Sequence, residues 1–169
     1  MIDRYTGRRH GFWQDGSVST REYHADDAWC VQVDDISTAT GLIVKADETD
    51  DGTYGSTLTI TTDFVLYPLN FGDETPARPW DEIRIVPSSR YRFPVTSRAG
   101  VQVTAKFGWA AVPDEVKLAN IFQAQMLYSS KDARGGVIQA SVDGYPTRVS
   151  RYMHPQAELL LSDLVKVAR

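Results

Sequence analysis

Hydrophobic residues in this chain change rhythm near residue 110. Up to Phe107 they recur at every second position over short runs, and beyond Val112 they recur at three- and four-residue spacing. The first period belongs to strands, whose successive side chains leave opposite faces, and the second to helices. Strand-like runs are read at Ser19 to His24, Cys30 to Val33, Gly41 to Ala46, Tyr54 to Thr61, Phe64 to Leu69, Glu82 to Val86 and Val101 to Phe107. Asp34-Asp35, Asp50-Asp51-Gly52, Asn70-Phe71-Gly72-Asp73 and Ala99-Gly100 read as the turns between them. Short strands at this spacing predict a compact antiparallel sheet folded on itself.

Val112-Pro113-Asp114-Glu115 then opens a helix over 112–134, with Pro113 placed in the first turn and two carboxylates at the positive end of the dipole. Val116, Ala119, Phe122, Gln123, Met126 and Leu127 follow at helical spacing, and Leu118 and Ile121 widen the apolar surface. A helix apolar on more than one side is buried in its own domain or shared with a neighbouring subunit. Residues 135–152 read as an extended arm with a turn at Asp143-Gly144-Tyr145-Pro146, and His154-Pro155 opens a C-terminal helix over 154–169. The expected fold class is α+β: a compact antiparallel β-rich part over 1–109, a buried helix, an extended arm and a C-terminal helix, all in one domain.

Composition narrows the function. The formal net charge of −4 lacks the basic excess of a dedicated nucleic-acid binder. The single cysteine, Cys30, excludes an intramolecular disulfide and is read as a buried structural thiol. No apolar run reaches the roughly 18 residues of a membrane span. The opening residues Met1 to Tyr5 have no apolar stretch of signal-peptide type, so a soluble protein made in the cytoplasm is expected, with no membrane partner.

No constellation of catalytic type stands out. Asp47-Glu48-Thr49-Asp50-Asp51-Gly52 partly copies a calcium loop, but the twelfth position, which needs a bidentate glutamate, is Leu58. It reads as a hairpin turn. His10, His24 and His154 share no metal-ligand spacing, and His154 falls where a helix cap is expected. Asp81-Glu82 beside Trp80 is the pair that most resembles a glycosidase site, although Trp80 equally fits a ring that packs a loop onto the sheet. The reading is a non-enzymatic protein with no cofactor and no metal. Lys131, Arg134, Arg148 and Arg151, with Tyr145 and Tyr152 interleaved, form either a solvated loop face or a contact for an acidic partner surface or DNA phosphates. At a subunit interface they could also pair with carboxylates.

Three ordered stretches carry a resemblance. They are Thr20-Arg21-Glu22-Tyr23 through Val33-Asp34-Asp35-Ile36-Ser37 into Thr40 to Val44; Asp63 to Asn70, with Pro79 and Ile83 after it; and, most specific, Phe107-Gly108-Trp109-Ala110-Ala111-Val112-Pro113-Asp114-Glu115-Val116-Lys117-Leu118-Ala119. Ser129 to Val137 and Val149 to Leu161 extend it. Together they resemble the head-tail connector (head-to-tail adaptor) family of tailed phages, of the type found in siphophages of actinobacteria. Trp109 and Pro113 are the signature residues, and Trp109 is expected to fix the angle between the last strand and the helix. Members usually carry a helical segment before the sheet, and Ile2 to Arg9 match only its end.

What the resemblance implies is a structural virion protein of the neck between head and tail, assembled in the host cytoplasm. It implies a homo-oligomeric ring, a dodecamer, seated on the portal protein and followed by a stopper, tail-terminator or tail protein. Double-stranded DNA would pass through its channel without sequence-specific binding. The arm and the C-terminal helix are expected to meet the portal or a neighbouring subunit through Lys131, Arg134, Arg148, Arg151, Tyr152, Leu160 and Leu164. A stopper or tail-terminator role is the near alternative. A β-rich carbohydrate-binding module with Trp13, Trp29 and Trp80 as its platform is the distant one.

Overall fold

A computed structural model describes residues 1–8, 11–73, 77–95, 99–131, 137–140, 146–148 and 153–166, with backbone alone at 130, 137–140 and 146–148. The architecture is α+β, with an antiparallel sheet of six strands and a helix at the C-terminal end. The chain divides into two compact units: residues 13–111 form one, and residues 1–12 with 112–169 form the other.

The sheet unit holds β1 (Ser19–Tyr23), β2 (Cys30–Ala46), β3 (Ser56–Leu58), β4 (Phe64–Tyr67), β5 (Trp80–Ile85) and β6 (Val101–Phe107), in the order β1-β6-β2-β5-β4 with β3 added to β2. All pairings are antiparallel. β6 alternates without a fault: Val101, Val103, Ala105 and Phe107 are buried, and the residues between them are half-buried. They meet Val31, Val33, Ile36 and Val44 of β2, Ile83 and Ile85 of β5, Phe64 and Leu66 of β4, and Phe93 in one core.

Two strands were expected where β2 runs unbroken for 17 residues. Asp34-Asp35 is not a turn. β2 pairs with β5 over Cys30 to Ile36 and with β6 over Ile36 to Ala46, through register shifts on both sides of Ile36. The strand changes partners instead of stopping, and each shift adds local twist and bend. The acidic run does form the loop between the paired strands β2 and β3. There Asp47 accepts N–H bonds from Gly52 (2.7 Å) and Asp51 (3.3 Å) and is 1 % exposed, so its carboxylate closes the loop.

The second unit holds α1 (Ile2–Thr6), α2 (Asp114–Ser130), a two-stranded antiparallel ribbon of β7 (Val137–Ala140) with β8 (Pro146–Arg148), and α3 (Pro155–Leu161). The arm expected over 135–152 is thus a paired ribbon where it is described, because Val137 pairs with Arg148 and Ala140 with Pro146. The C-terminal helix is shorter than the expected 154–169: it ends at Leu161, a 3-10 turn covers Ser162–Leu164, and Val165 is extended. The tail instead bonds to the opening residues. Lys166 N–H donates to Thr6 O (2.8 Å), and Arg8 Nε donates to Leu164 O (2.9 Å). Gly7, at φ 70°, terminates α1 in the left-handed conformation that glycine tolerates.

Candidate interaction surface

Phe107-Gly108-Trp109, the start of the most specific stretch, acts first as a lock within the sheet unit. Gly108 sits at φ 102°, and a Cβ there would lie 1.9 Å from Trp13 O, so only glycine fits. Its N–H donates to Asp35 O (2.6 Å), and Trp109 N–H donates to Trp13 O (3.2 Å). The Trp109 ring is 2 % exposed, and its Nε1–H donates to Asp35 Oδ2 at 3.0 Å. Nearby, Arg21 bridges Asp15 (3.0 Å) and Asp34 (2.8 Å) and lies 4.0 Å over the Phe107 ring. Burial disfavours the Arg21 charge, but the hydrogen bond and attraction to Asp34 outweigh it and hold the guanidinium above its ordinary pKa. Tyr23 Oη donates to the same Asp34 carboxylate (3.0 Å). The two aspartates read as a turn are therefore consumed by partners remote in sequence.

Pro113 does not occupy the first turn of α2. It is the cap residue, with ψ 147°, and its carbonyl accepts from Val116 and Lys117. Asp114 and Glu115 do lie in the first turn. Asp114 takes a hydrogen bond from Lys117 (2.8 Å), which holds its carboxyl below the usual range.

α2 was expected to be buried, and only one of its faces is. Val116, Ala119 and Gln123 are buried, with Phe122 and Met126 half-buried beside them. This stripe belongs to a pack with α3, where Ala157 and Leu161 are wholly buried. The Gln123 side chain accepts from His154 N–H (2.8 Å), and the Phe122 and His154 rings stack at 5.5 Å. His154 is the expected cap, its Nδ1 accepting from Gln156 N–H at 3.2 Å. Leu118, Ile121, Gln125 and Tyr128 fall on the roughly opposite side of the helix, since each residue advances the wheel by about 100°. Leu118 is 42 %, Ile121 60 % and Tyr128 69 % exposed. Lys131 follows, exposed, its ammonium 4.2 Å from the Tyr128 ring centroid.

Of the other expected contact residues, Leu160 is half-buried. Leu164, at 5 % exposure, belongs to the interior of its unit and offers no surface to a partner; the apolar side chain that α3 does present is Leu159, at 76 %. Arg148 is placed by its backbone in β8. Arg134, Arg151 and Tyr152 lie outside the described residues.

Asp81 and Glu82 are neighbours on β5, so their side chains leave opposite faces and do not converge. Glu82 is instead bound by Arg84 and by Gln32 (3.1 Å). Trp80 does hold a loop to the sheet: a Cβ on Gly72 would sit 2.2 Å from its ring. Cys30 is half-buried rather than buried, and desolvation with the Asp27 hydrogen bond pushes its thiol up to about 11. Among the described residues no helix is long and apolar enough to cross a membrane.

The sequence reading passed over Arg90 and Arg92. They lie in the connection after β5, both exposed, with Arg92 3.8 Å from the Trp29 ring centroid and Arg90 4.7 Å from that of Tyr91. The available signal was charge: from Ile83 to Pro113 the chain has no aspartate or glutamate. No family model, curated protein or solved structure matches this chain.

Proposed function

We propose that the chain is a head-to-tail adaptor of a tailed phage, a non-enzymatic subunit that assembles as a ring on the portal and carries the DNA channel toward the tail. The observation that carries the reading is α2, whose second apolar face (Leu118, Ile121 and Tyr128) is left in solvent by its own unit. A row of large apolar side chains on a regular helix is the mark of a surface covered by another protein. The ordered resemblance over nearly the whole chain gives that surface its context. Gly108 and Trp109, which stand in its most specific stretch, hold a lock in the scaffold and place no reactive group at a surface.

In this reading the subunit contact is heterologous: the α2 face of one copy meets a different patch on the next, and rotation closes a dodecamer. The β7–β8 ribbon, Lys131 and Leu159 are assigned to the portal side. Weak contacts repeated around the ring supply the avidity that one copy lacks. The test is co-expression with the portal of the same genome, followed by affinity capture and electron microscopy. Ring density capping the outer end of the portal is the expected result. Density seated beyond another component would make the chain a stopper or tail-terminator protein, and a chain that never associates would overturn the reading.

A second reading, a carbohydrate-binding module, draws on the exposure of Trp13 (56 %) and Trp29 (44 %). Register counts against a shared platform. Trp29 directly precedes β2, whereas Trp13 sits beside Gly108, which bonds to Asp35 roughly 17 Å farther along that strand. Saturable quenching of tryptophan fluorescence by soluble oligosaccharides, abolished in Trp29→Ala, would favour this reading over the adaptor.

A further inference from the structure

The sheet has one face in the core and one in solvent, and its central strands order the solvent face into rows. Gln102, Thr104 and Lys106 leave β6 on that side, between the buried Val101, Val103, Ala105 and Phe107. Register sets Glu22 of β1 and Lys45 of β2 on either side of Gln102. It sets Thr20 of β1 and Ile43 of β2 on either side of Thr104. Thr20, Glu22 and Ile43 are exposed, and Lys45 and the three β6 residues are half-buried.

The middle row needs no water to satisfy it. The Thr20 and Thr104 hydroxyls bond to each other at 2.8 Å, and Ile43 stands beside them 44 % exposed. Val18, two residues before Thr20 and so on the same side, is 53 % exposed. The charges of the first row are held apart. Glu22 and Lys45 stand two strand spacings from each other, roughly 10 Å, with Gln102 between them. Among the described residues neither is in an ion pair. Glu22 takes a long bond from Gln102 (3.5 Å) and lies beside the Tyr54 hydroxyl. Read across β1, β6 and β2, the row is negative, neutral and positive.

We propose that this face is a two-fold contact with the same face of a second copy. Half a turn about an axis parallel to β6 lays β1 of one sheet over β2 of the other, in the aligned packing that stacked sheets adopt. Glu22 of each copy then meets Lys45 of the other, Ile43 meets Thr20, and Gln102 and Thr104 meet their own mates on the axis. Half a turn about an axis across the strands lays β1 on β1 instead and brings neither charge to its opposite. Lys106 also meets its mate, a repulsion that limits affinity and that a long side chain relieves by turning outward. A contact of this kind closes at two copies and builds no ring by itself. It uses neither the portal nor the α2 face, so it stands apart from the adaptor reading.

Sedimentation equilibrium of the full chain over a concentration series tests this, in the Leu118→Ser/Ile121→Ser background so that association through α2 does not contribute. The expected result is a reversible monomer–dimer equilibrium that weakens with added salt, because the paired charges lie at a surface. Lys45→Glu should weaken it on the order of tenfold, since two exposed pairs worth about two- to fivefold each become repulsions. Glu22→Lys/Lys45→Glu, which sets opposite charges across the axis again, should recover it, and Lys106→Gln should strengthen it. In a Cys30→Ser chain, Thr104→Cys should link to its own mate through a short bismaleimide, as only a residue near the axis can. A chain that stays monomeric, a dimer indifferent to Lys45→Glu, a charge-swapped chain that does not recover, or no link from Thr104→Cys would overturn the proposal. Rings on the portal are a separate observation, and the adaptor reading stands or falls on those alone.

Discussion

Val103 in β6 and Ile121 in α2 are both aliphatic residues in the middle of regular elements, yet Val103 is wholly buried and Ile121 is 60 % exposed. The strand spends its alternation completely: each inward residue finds β2, β4 or β5 across the core, and outward residues pair across strands, as Thr20 does with Thr104 at 2.8 Å. The helix has apolar residues on two sides and its own unit covers one. A sheet unit finished within the chain, together with a helix finished on one face only, is what a subunit needs if it is to fold alone and then assemble.

Substitutions can break that contrast, beginning with the lock that finishes the sheet. Trp109→Ala removes a buried ring and the Asp35 hydrogen bond, and should cost about 4 kcal/mol in a denaturant titration. A loss within the range of surface substitutions would mean that the sheet is not closed by this residue. Gly108→Ala follows, at about 2–3 kcal/mol, because it meets a left-handed backbone and the Trp13 carbonyl together. Trp109→Phe, by keeping much of the volume while deleting the donor, divides packing from hydrogen bonding.

The covered side of α2 is tested more gently through His154. His154→Ala removes the side-chain acceptor at the start of α3 and the ring stacked on Phe122, and should cost about 1 kcal/mol. His154→Asn, which restores a capping acceptor, should recover most of it; equal melting of all three proteins would show that the cap is idle.

Cys30, on the outward side of the sheet, gives the smallest effect. Burial and the Asp27 hydrogen bond raise its thiol to about 11 and favour the neutral form in the folded chain. The stability this contributes is complete below the unfolded value of about 8.5 and is lost as pH climbs through the folded one. Alkylation of the folded protein should accordingly rise at higher pH than that of the chain unfolded in urea. Coincident profiles would show an ordinary exposed thiol.

Legibility in the sequence followed locality. β6 was read at its true ends because period-two residues lie between Gly100 and Gly108, and the cap at His154 because proline follows it. β2 was split because Asp34-Asp35 looks like a turn, and nothing local announces that Arg21, Tyr23 and Trp109 will take up those carboxylates. On α2 the helix was visible but not its buried side, since apolar residues on two faces leave that choice to tertiary packing. Arg90 and Arg92 were passed over because Trp29, the ring under Arg92, stands just before β2 and is remote in sequence, so only the fold brings them together.

In the proposed ring, α2 keeps its second face for another subunit. Leu118→Ser/Ile121→Ser, co-expressed with the portal of the same genome and compared with the parent by electron microscopy and thermal melting, tests it most directly. The expected result is a stability within about 0.5 kcal/mol of the parent, as for surface substitutions, and no ring on the portal. A variant that still forms complete rings would contradict it.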